Sequence, residues 1–280
     1  MSSEESTLAA GAEALSRIDT SVAHPARRYN YWLGGKDNFQ ADRESGDAIA
    51  AVFPSVRIAV LENRAFLRRA VAYLAREAGI RQFLDIGTGI PTADNTHEVA
   101  QAIAPESRIV YVDNDPIVLS HARALLTSTP HGATAYIDAD LREPERILSH
   151  PDLLETLDLS QPVALMLLAV MHFIEDEDDP YGIVNRLLDA LPSGSYLTIT
   201  HGTVDFMPEE QRQQGHAVAT NGRHGALKPR TREEYGRFFD GLQLVPPGIA
   251  VVTEWRAEGE SGERPAPADA AIFGAVARKP

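Results

Sequence analysis

Phe83-Leu84-Asp85-Ile86-Gly87-Thr88-Gly89-Ile90-Pro91-Thr92 carries the pattern of a strand running into a glycine turn. A short apolar run, of the kind that forms a strand, ends in an acid and turns through two glycines. It then leads to Asn95-Thr96-His97-Glu98, a capping-box pattern that opens a helix. Glycine lets the backbone approach a ligand closely, and the N–H groups at a helix start face that ligand.

The same strand-then-helix unit repeats downstream. Arg108 to Val112 reads as a second strand, ending at Asp113-Asn114-Asp115. Pro116 suits the first position of the next helix, with Val118, Ala122, Leu125 and Leu126 on one face. Ala133 to Ile137 is a third strand, and Glu143 to Leu157 a helix interrupted near Pro151. Val163 to Val170 shows no alternation, as expected of a strand buried on both faces. Asp179 and Pro180 open a helix carrying Ile183, Val184, Leu187, Leu188 and Leu191; Ser195 to Thr200 is a fifth strand. Thr231-Arg232-Glu233-Glu234 is a second capping-box candidate, and two last strands fall near Leu244 to Thr253 and Ala270 to Ala277. Upstream, residues 25 to 79 read as helical, with an aromatic and glycine-rich break at Tyr29 to Asp37 and Gly79 at a helix C-cap. The pattern predicts a doubly wound α/β fold with a mostly parallel sheet. Residues 1–80 would form an N-terminal helical extension or lid and residues 81–280 the core. In such sheets ligands bind beyond the carboxyl ends of the strands, where the strand order reverses.

The residues after each predicted strand are therefore the candidate site. Asp113 lies 24 residues after Gly89, near the spacing at which an acid meets ribose hydroxyls in nucleoside-binding folds. After the third strand, Asp140 can accept from an adenine amino group while the Leu141 N–H donates to a ring nitrogen. The dinucleotide fingerprint requires a third glycine where Thr92 stands, and Pro91 stiffens the turn. A pyrophosphate would be repelled by Asp85, whereas the sulfonium and ammonium of S-adenosylmethionine suit Asp85, Asp113 and Asp140. The cofactor expected is thus S-adenosylmethionine rather than a nicotinamide or flavin. Its expected contacts are Asp85, Gly87, Thr88, Gly89, Asp113, Asn114, Asp140, Leu141, Ala169 and Tyr31. Tyr31 enters as part of the aromatic segment Tyr29 to Asn38, which would close over the cofactor or, alternatively, anchor an N-terminal helix. His172 and His201, each after a strand, are the candidate general bases. The acidic run Glu175 to Asp179 reads as a solvated loop and N-cap, not a metal site.

With 26 basic and 40 acidic residues the chain carries a net charge of −14, the wrong sign for embracing a phosphate backbone, so no nucleic-acid partner is expected. The absence of cysteine excludes disulfides, thiolate metal sites and a cysteine nucleophile. The polar, acidic stretch Met1 to Ala14 is unlike a targeting peptide, and the longest apolar run, Val163 to Met171, is far short of the ~20 residues that span a bilayer. A cytoplasmic protein acting on a small molecule is the expectation.

Taken together, five stretches make the chain resemble an actinobacterial S-adenosylmethionine methyltransferase family formerly classed as a domain of unknown function. They are His24-Pro25-Ala26-Arg27-Arg28-Tyr29-Asn30-Tyr31-Trp32-Leu33-Gly34-Gly35-Lys36-Asp37-Asn38, Asp85 to Thr92, Val110-Tyr111-Val112-Asp113-Asn114-Asp115-Pro116, Ala169 to Ile174 and Arg237 to Leu242. The resemblance covers roughly residues 20 to 280. It implies a class I methyltransferase sheet of seven strands, the last antiparallel, and leaves the acceptor unnamed. The competing functional expectation is a protein that binds the cofactor or its demethylated product without catalysis.

Overall fold

The computed structural model describes residues 18–125, 128–208, 212, 227–258 and 263–280. Met1 to Ala14 and Leu126 lie outside them, and of the helical face expected at Ala122 and Leu125 no side chain is described.

Five parallel strands carry the sheet: β1 (Gln82–Ile86), β2 (Arg108–Asp113), β3 (Ala133–Asp138), β4 (Ala164–Leu168) and β5 (Tyr196–Gly202). An antiparallel strand, β8 (Ile272–Arg278), pairs with β5. Two dipeptide strands, β6 (Gln243–Leu244) and β7 (Ala250–Val251), pair with the other edge of β8. The order is β3-β2-β1-β4-β5-β8-β6. Among the described residues eight strands thus stand where seven were expected, because the predicted run Leu244 to Thr253 is split. Pro246 and Pro247 lie in its middle, and proline has no N–H to give to a ladder. Every residue of β1 and β4 is buried, as strands covered by helices on both faces must be. The order reverses between β1 and β4, so their carboxyl ends flank the crevice in which such sheets bind ligands.

Among the described residues, three helices precede the sheet: α1 (Pro25–Trp32), α2 (Gln40–Val52) and α3 (Val56–Arg76). The boundary expected at residue 80 falls just after α3. Helix α3 is a layer of the core, with Phe66, Ala70, Val71 and Leu74 fully buried, and it packs on β8. The fit with β8 is close: a side chain at Gly274 would come within 2.7 Å of the Phe66 ring, whose centroid is also 5.2 Å from that of Trp255. Gly79 ends the helix at φ +71, and the Ile80 N–H reaches back to Leu74 O at 2.9 Å, satisfying one of the helix's last carbonyls. Helices α1 and α2 form an arm that packs on α3.

Downstream helices follow the expected cap chemistry. Asn95 and Glu98 close a capping box at α4 (Thr96–Ile103), and the predicted helix at 143–157 is two, α5 (Pro116–Leu125) being followed by α6 (Pro144–Leu148) and α7 (Pro151–Thr156). Asp179 caps α8 (Pro180–Asp189), and Thr231 and Glu234 box the start of α9 (Arg232–Gly236). Among the described residues no helix is long and apolar enough to cross a membrane.

Phe66→Ala is expected to lower the unfolding free energy by about 3–5 kcal/mol, since it empties a fully packed position. Leu61→Ala, on the same helix but 58% exposed, should stay within about 0.5 kcal/mol of the parent. Urea unfolding followed by circular dichroism distinguishes the two; equal shifts would contradict the assignment of α3 to the core.

Candidate functional site

The turn after β1 depends on two glycines for different reasons. Both take positive φ, +76 at Gly87 and +70 at Gly89. A Cβ at Gly87 would lie 2.5 Å from Cγ2 of Val170, just beyond β4, so this glycine is required by the protein's own packing. A Cβ at Gly89 would meet nothing within 4 Å. The open side of the turn is therefore at Gly89. Thr88 braces it from below, its hydroxyl donating to Asp85 O at 3.0 Å.

Asp113, at the end of β2, crosses to this turn. Its Oδ2 accepts from the Gly89 N–H at 2.8 Å and its Oδ1 from the Asp115 N–H at 3.0 Å. Burial raises its pKa, and these two N–H groups oppose the rise. Each carboxylate oxygen has two acceptor sites, so both keep one for a ligand. Asp85 lies beneath the turn, its Oδ2 accepting from Thr96 Oγ1 at 2.6 Å. Burial pushes its carboxyl up to about 6, against the Thr96 hydrogen bond and the charge of Arg64. Arg64 in turn holds the loop before α4 through Ala93 O and Asp94 O.

Asn114 and Asp140 are also brought together, the Asn114 amide donating to Asp140 Oδ2 at 3.1 Å. Burial alone would raise the Asp140 carboxyl, but the Arg142 side chain and N–H, with Asn114, outweigh it and hold the group at about 2. Leu141 is buried behind it. Across the crevice Ala169 takes a left-handed conformation, φ +53, with its N–H bound to Thr200 Oγ1 at 2.8 Å.

The two histidines part company. His201 is fully buried. Arginine only donates, so the 3.1 Å contact from Arg230 Nη1 makes Nε2 an acceptor, and Nδ1 carries the proton toward Gly202 O at 2.8 Å. Both nitrogens are used and neither opens on the crevice, which corrects the reading of His201 as a base. It helps instead to seat Arg230, which also binds Met171 O, Ile174 O and Asp176. Asp176 pairs with Lys228 as well, so this part of the acidic run fastens the segment after β4. His172 is partly covered, and its Nδ1 accepts from the Gly202 N–H at 3.3 Å. Burial, with the charges of Arg230 and Arg28, lowers its pKa to about 3. It is neutral near pH 7, but too weak a base to draw a proton strongly.

Tyr31 is not at the strand ends, a second correction. Its hydroxyl donates to Asp47 Oδ1 at 2.9 Å, its ring lies against Gly46, and Arg57 stands over it. Tyr29 and Trp32 likewise serve helix packing, Tyr29 on α3 through Val60 O and Asn63, Trp32 on α2 through Gly46 O. What the arm brings to the strand ends is different. Ile18, Ala26 and Phe39 pack on Ile90, Ile117 and Val118, while His24 and Arg27 lie 3.1 and 3.2 Å from Asp115 Oδ2. Sequence reasoning missed His24, Arg27, Asp115, Thr96 and Arg64. Capping patterns marked Asp115 and Thr96 only as helix-start residues, and nothing local indicated the long-range pairings.

Residues 11–280 match the family described as S-adenosyl methyltransferase. A crystal structure from Streptomyces avermitilis, described as a DUF574 family protein, is 52% identical with a TM-score of 0.86, over 94% of this chain and 100% of that one. A second, from Thermobifida fusca, is 41% identical with a TM-score of 0.84, over 93% of this chain and 96% of that one. No curated protein matches.

The Asp85 carboxyl sets a pH dependence. Its folded pKa, near 6, lies above the ordinary 3.8, so the folded state holds a proton that the unfolded state releases. The associated stability is fully present below about pH 4 and is lost as pH rises through about 6. Asp85→Asn, which cannot ionise, should gain about 1–2 kcal/mol relative to the parent between pH 5 and pH 8. Urea titrations at both pH values check this, and a pH-independent difference would contradict it.

Proposed function

The chain belongs to the S-adenosyl methyltransferase family, and we propose on that premise that it methylates a small molecule held between the arm and the carboxyl ends of β1 and β4. The enzyme uses S-adenosylmethionine, which supplies an electrophilic methyl group on its sulfonium. The observation that carries the site assignment is the pairing of Asp113 with Gly89: a carboxylate fixed beside a glycine whose missing side chain leaves open space.

In this reading Asp113 accepts from the ribose diol, and Gly87, Thr88 and Gly89 present backbone to the cofactor. Asp140 and Asn114, with the Leu141 N–H, border the adenine. Asp85 places a buried acid under the end of the cofactor that carries positive charge, and a cationic ligand favours its ionised form. Ala169 and Val170 form the β4 wall. The three acids support a cationic ligand over a pyrophosphate-bearing one.

Among the described residues the strand ends hold no strong base, with His201 sequestered and His172 held near pKa 3. Catalysis then rests on holding the acceptor nucleophile in line and excluding water, which such a transfer can exploit without a proton acceptor. The arm supplies the cover. The net charge of −14 supports a small acceptor over a nucleic acid.

Asp113→Ala should weaken S-adenosylhomocysteine binding by about 10- to 100-fold, the loss of charge-assisted hydrogen bonds, while NAD shows no binding heat to either protein. With radiolabelled S-adenosylmethionine and a metabolite extract, the parent should label a low-molecular-weight product that Asp113→Ala does not. Label appearing only in nucleic acid or protein would overturn the small-molecule assignment.

A further inference from the structure

Besides the apolar contact of Ile18, Ala26 and Phe39 with Ile90, Ile117 and Val118, the N-terminal arm meets the end of β2 through a buried ionic contact. Arg27 and Asp115 are 5% and 2% exposed, with Arg27 Nε 3.2 Å and His24 Nδ1 3.1 Å from Asp115 Oδ2. The same guanidinium gathers the chain before α1, donating from Nη1 to Asp19 O and from Nη2 to Val22 O, and it lies over the Phe39 ring. Asp42 draws the two ends of the arm together by accepting from the His24 and Phe39 N–H groups, each at 2.8 Å.

On the sheet side, Asp115 has three tasks. Its Oδ1 accepts from the Ile117 N–H at 3.0 Å and caps α5, while its Oδ2 faces the arm. Its own N–H holds Oδ1 of Asp113. The acid that receives the arm's cation is thus two residues from the acid assigned to the ribose and fixes that acid's orientation. Separating the arm would strip the Asp115 carboxylate of both Arg27 and His24, while Arg27 would keep Asp42 at 3.8 Å, so the cost falls on Asp115. The arm and the end of β2 therefore rearrange together.

We propose that Arg27, His24 and Asp115 are positioning residues for Asp113, so that arm docking and cofactor binding each strengthen the other. The coupling is reciprocal: whatever factor the docked arm adds to cofactor affinity, bound cofactor adds to arm docking. The proposal rests on Asp113 being the ribose ligand, and its test separates the two claims.

The probe is S-adenosylhomocysteine, titrated calorimetrically into the full-length parent, Arg27→Met, Asp113→Asn and the double variant. Arg27→Met alone should weaken binding by about tenfold, and the double variant should be weaker than Asp113→Asn by about twofold or less, the non-additivity expected of residues in one network. Arg27→Lys, which keeps the charge, should recover part of the loss. Unchanged affinity in Asp113→Asn would overturn the ribose assignment and this proposal with it. A weakened Asp113→Asn whose loss simply multiplies with that of Arg27→Met would overturn the positioning role alone. Should Arg27→Met not fold, hydrogen exchange on the parent decides. S-adenosylhomocysteine should slow amide exchange across residues 24–39 as well as in the turn at 87–89, and unaltered exchange in the arm would overturn the proposal.

Discussion

The Asp113 carboxylate accepts one hydrogen bond on each oxygen, from Gly89 on the first strand's turn and from Asp115 at the start of the next helix. Through these two bonds the ends of β1 and β2 become a single rigid surface. The rest of the site is arranged around it. Gly87 must lack a side chain because Val170 occupies that space, which sets the width of the crevice between β1 and β4. Asn114 links the same loop to Asp140 on the third strand's turn. Asp115 carries the linkage outward to the arm.

The electrostatics of this surface are graded. Asp85 is buried with a hydroxyl partner and sits near pKa 6, whereas Asp140, joined to Arg142, is held near 2. A ligand cation placed near Asp85 would relieve an unfavourable ionisation, while near Asp140 it would compete with a guanidinium already present. This gradient suits a ligand whose positive charge lies at one end and whose aromatic, neutral end lies at the other.

Much of the fold was legible because it is written in local pattern. The strand boundaries of β1, the continuous burial of β4 and the boxes at Asn95 and Thr231 follow from periodicity and cap chemistry. The division of β6 from β7 was also implicit in Pro246 and Pro247. The place of the glycine turn after β1 and of Asp113 at the end of β2 was legible for the same reason, being fixed by spacing to strand ends. Side-chain direction was not. The aromatic run at 29–32 carries the appearance of a ligand cage, yet tertiary packing turns Tyr29 onto α3 and Tyr31 and Trp32 onto α2. His201 lies at a strand end as expected, but faces Arg230 in the interior. The pairing of Arg27 with Asp115 spans 88 positions of sequence, and no local pattern reports a contact at that separation.

The central claim is that Asp113 and Gly89 form the nucleoside end of the cofactor site. A crystal structure with S-adenosylhomocysteine bound tests it most directly. The account predicts both ribose hydroxyls within about 3 Å of the Asp113 carboxylate oxygens, with the nucleoside passing over Gly89 and the arm still paired to Asp115. A ribose bound elsewhere, with Asp113 contacting only Gly89 and Asp115, would contradict it.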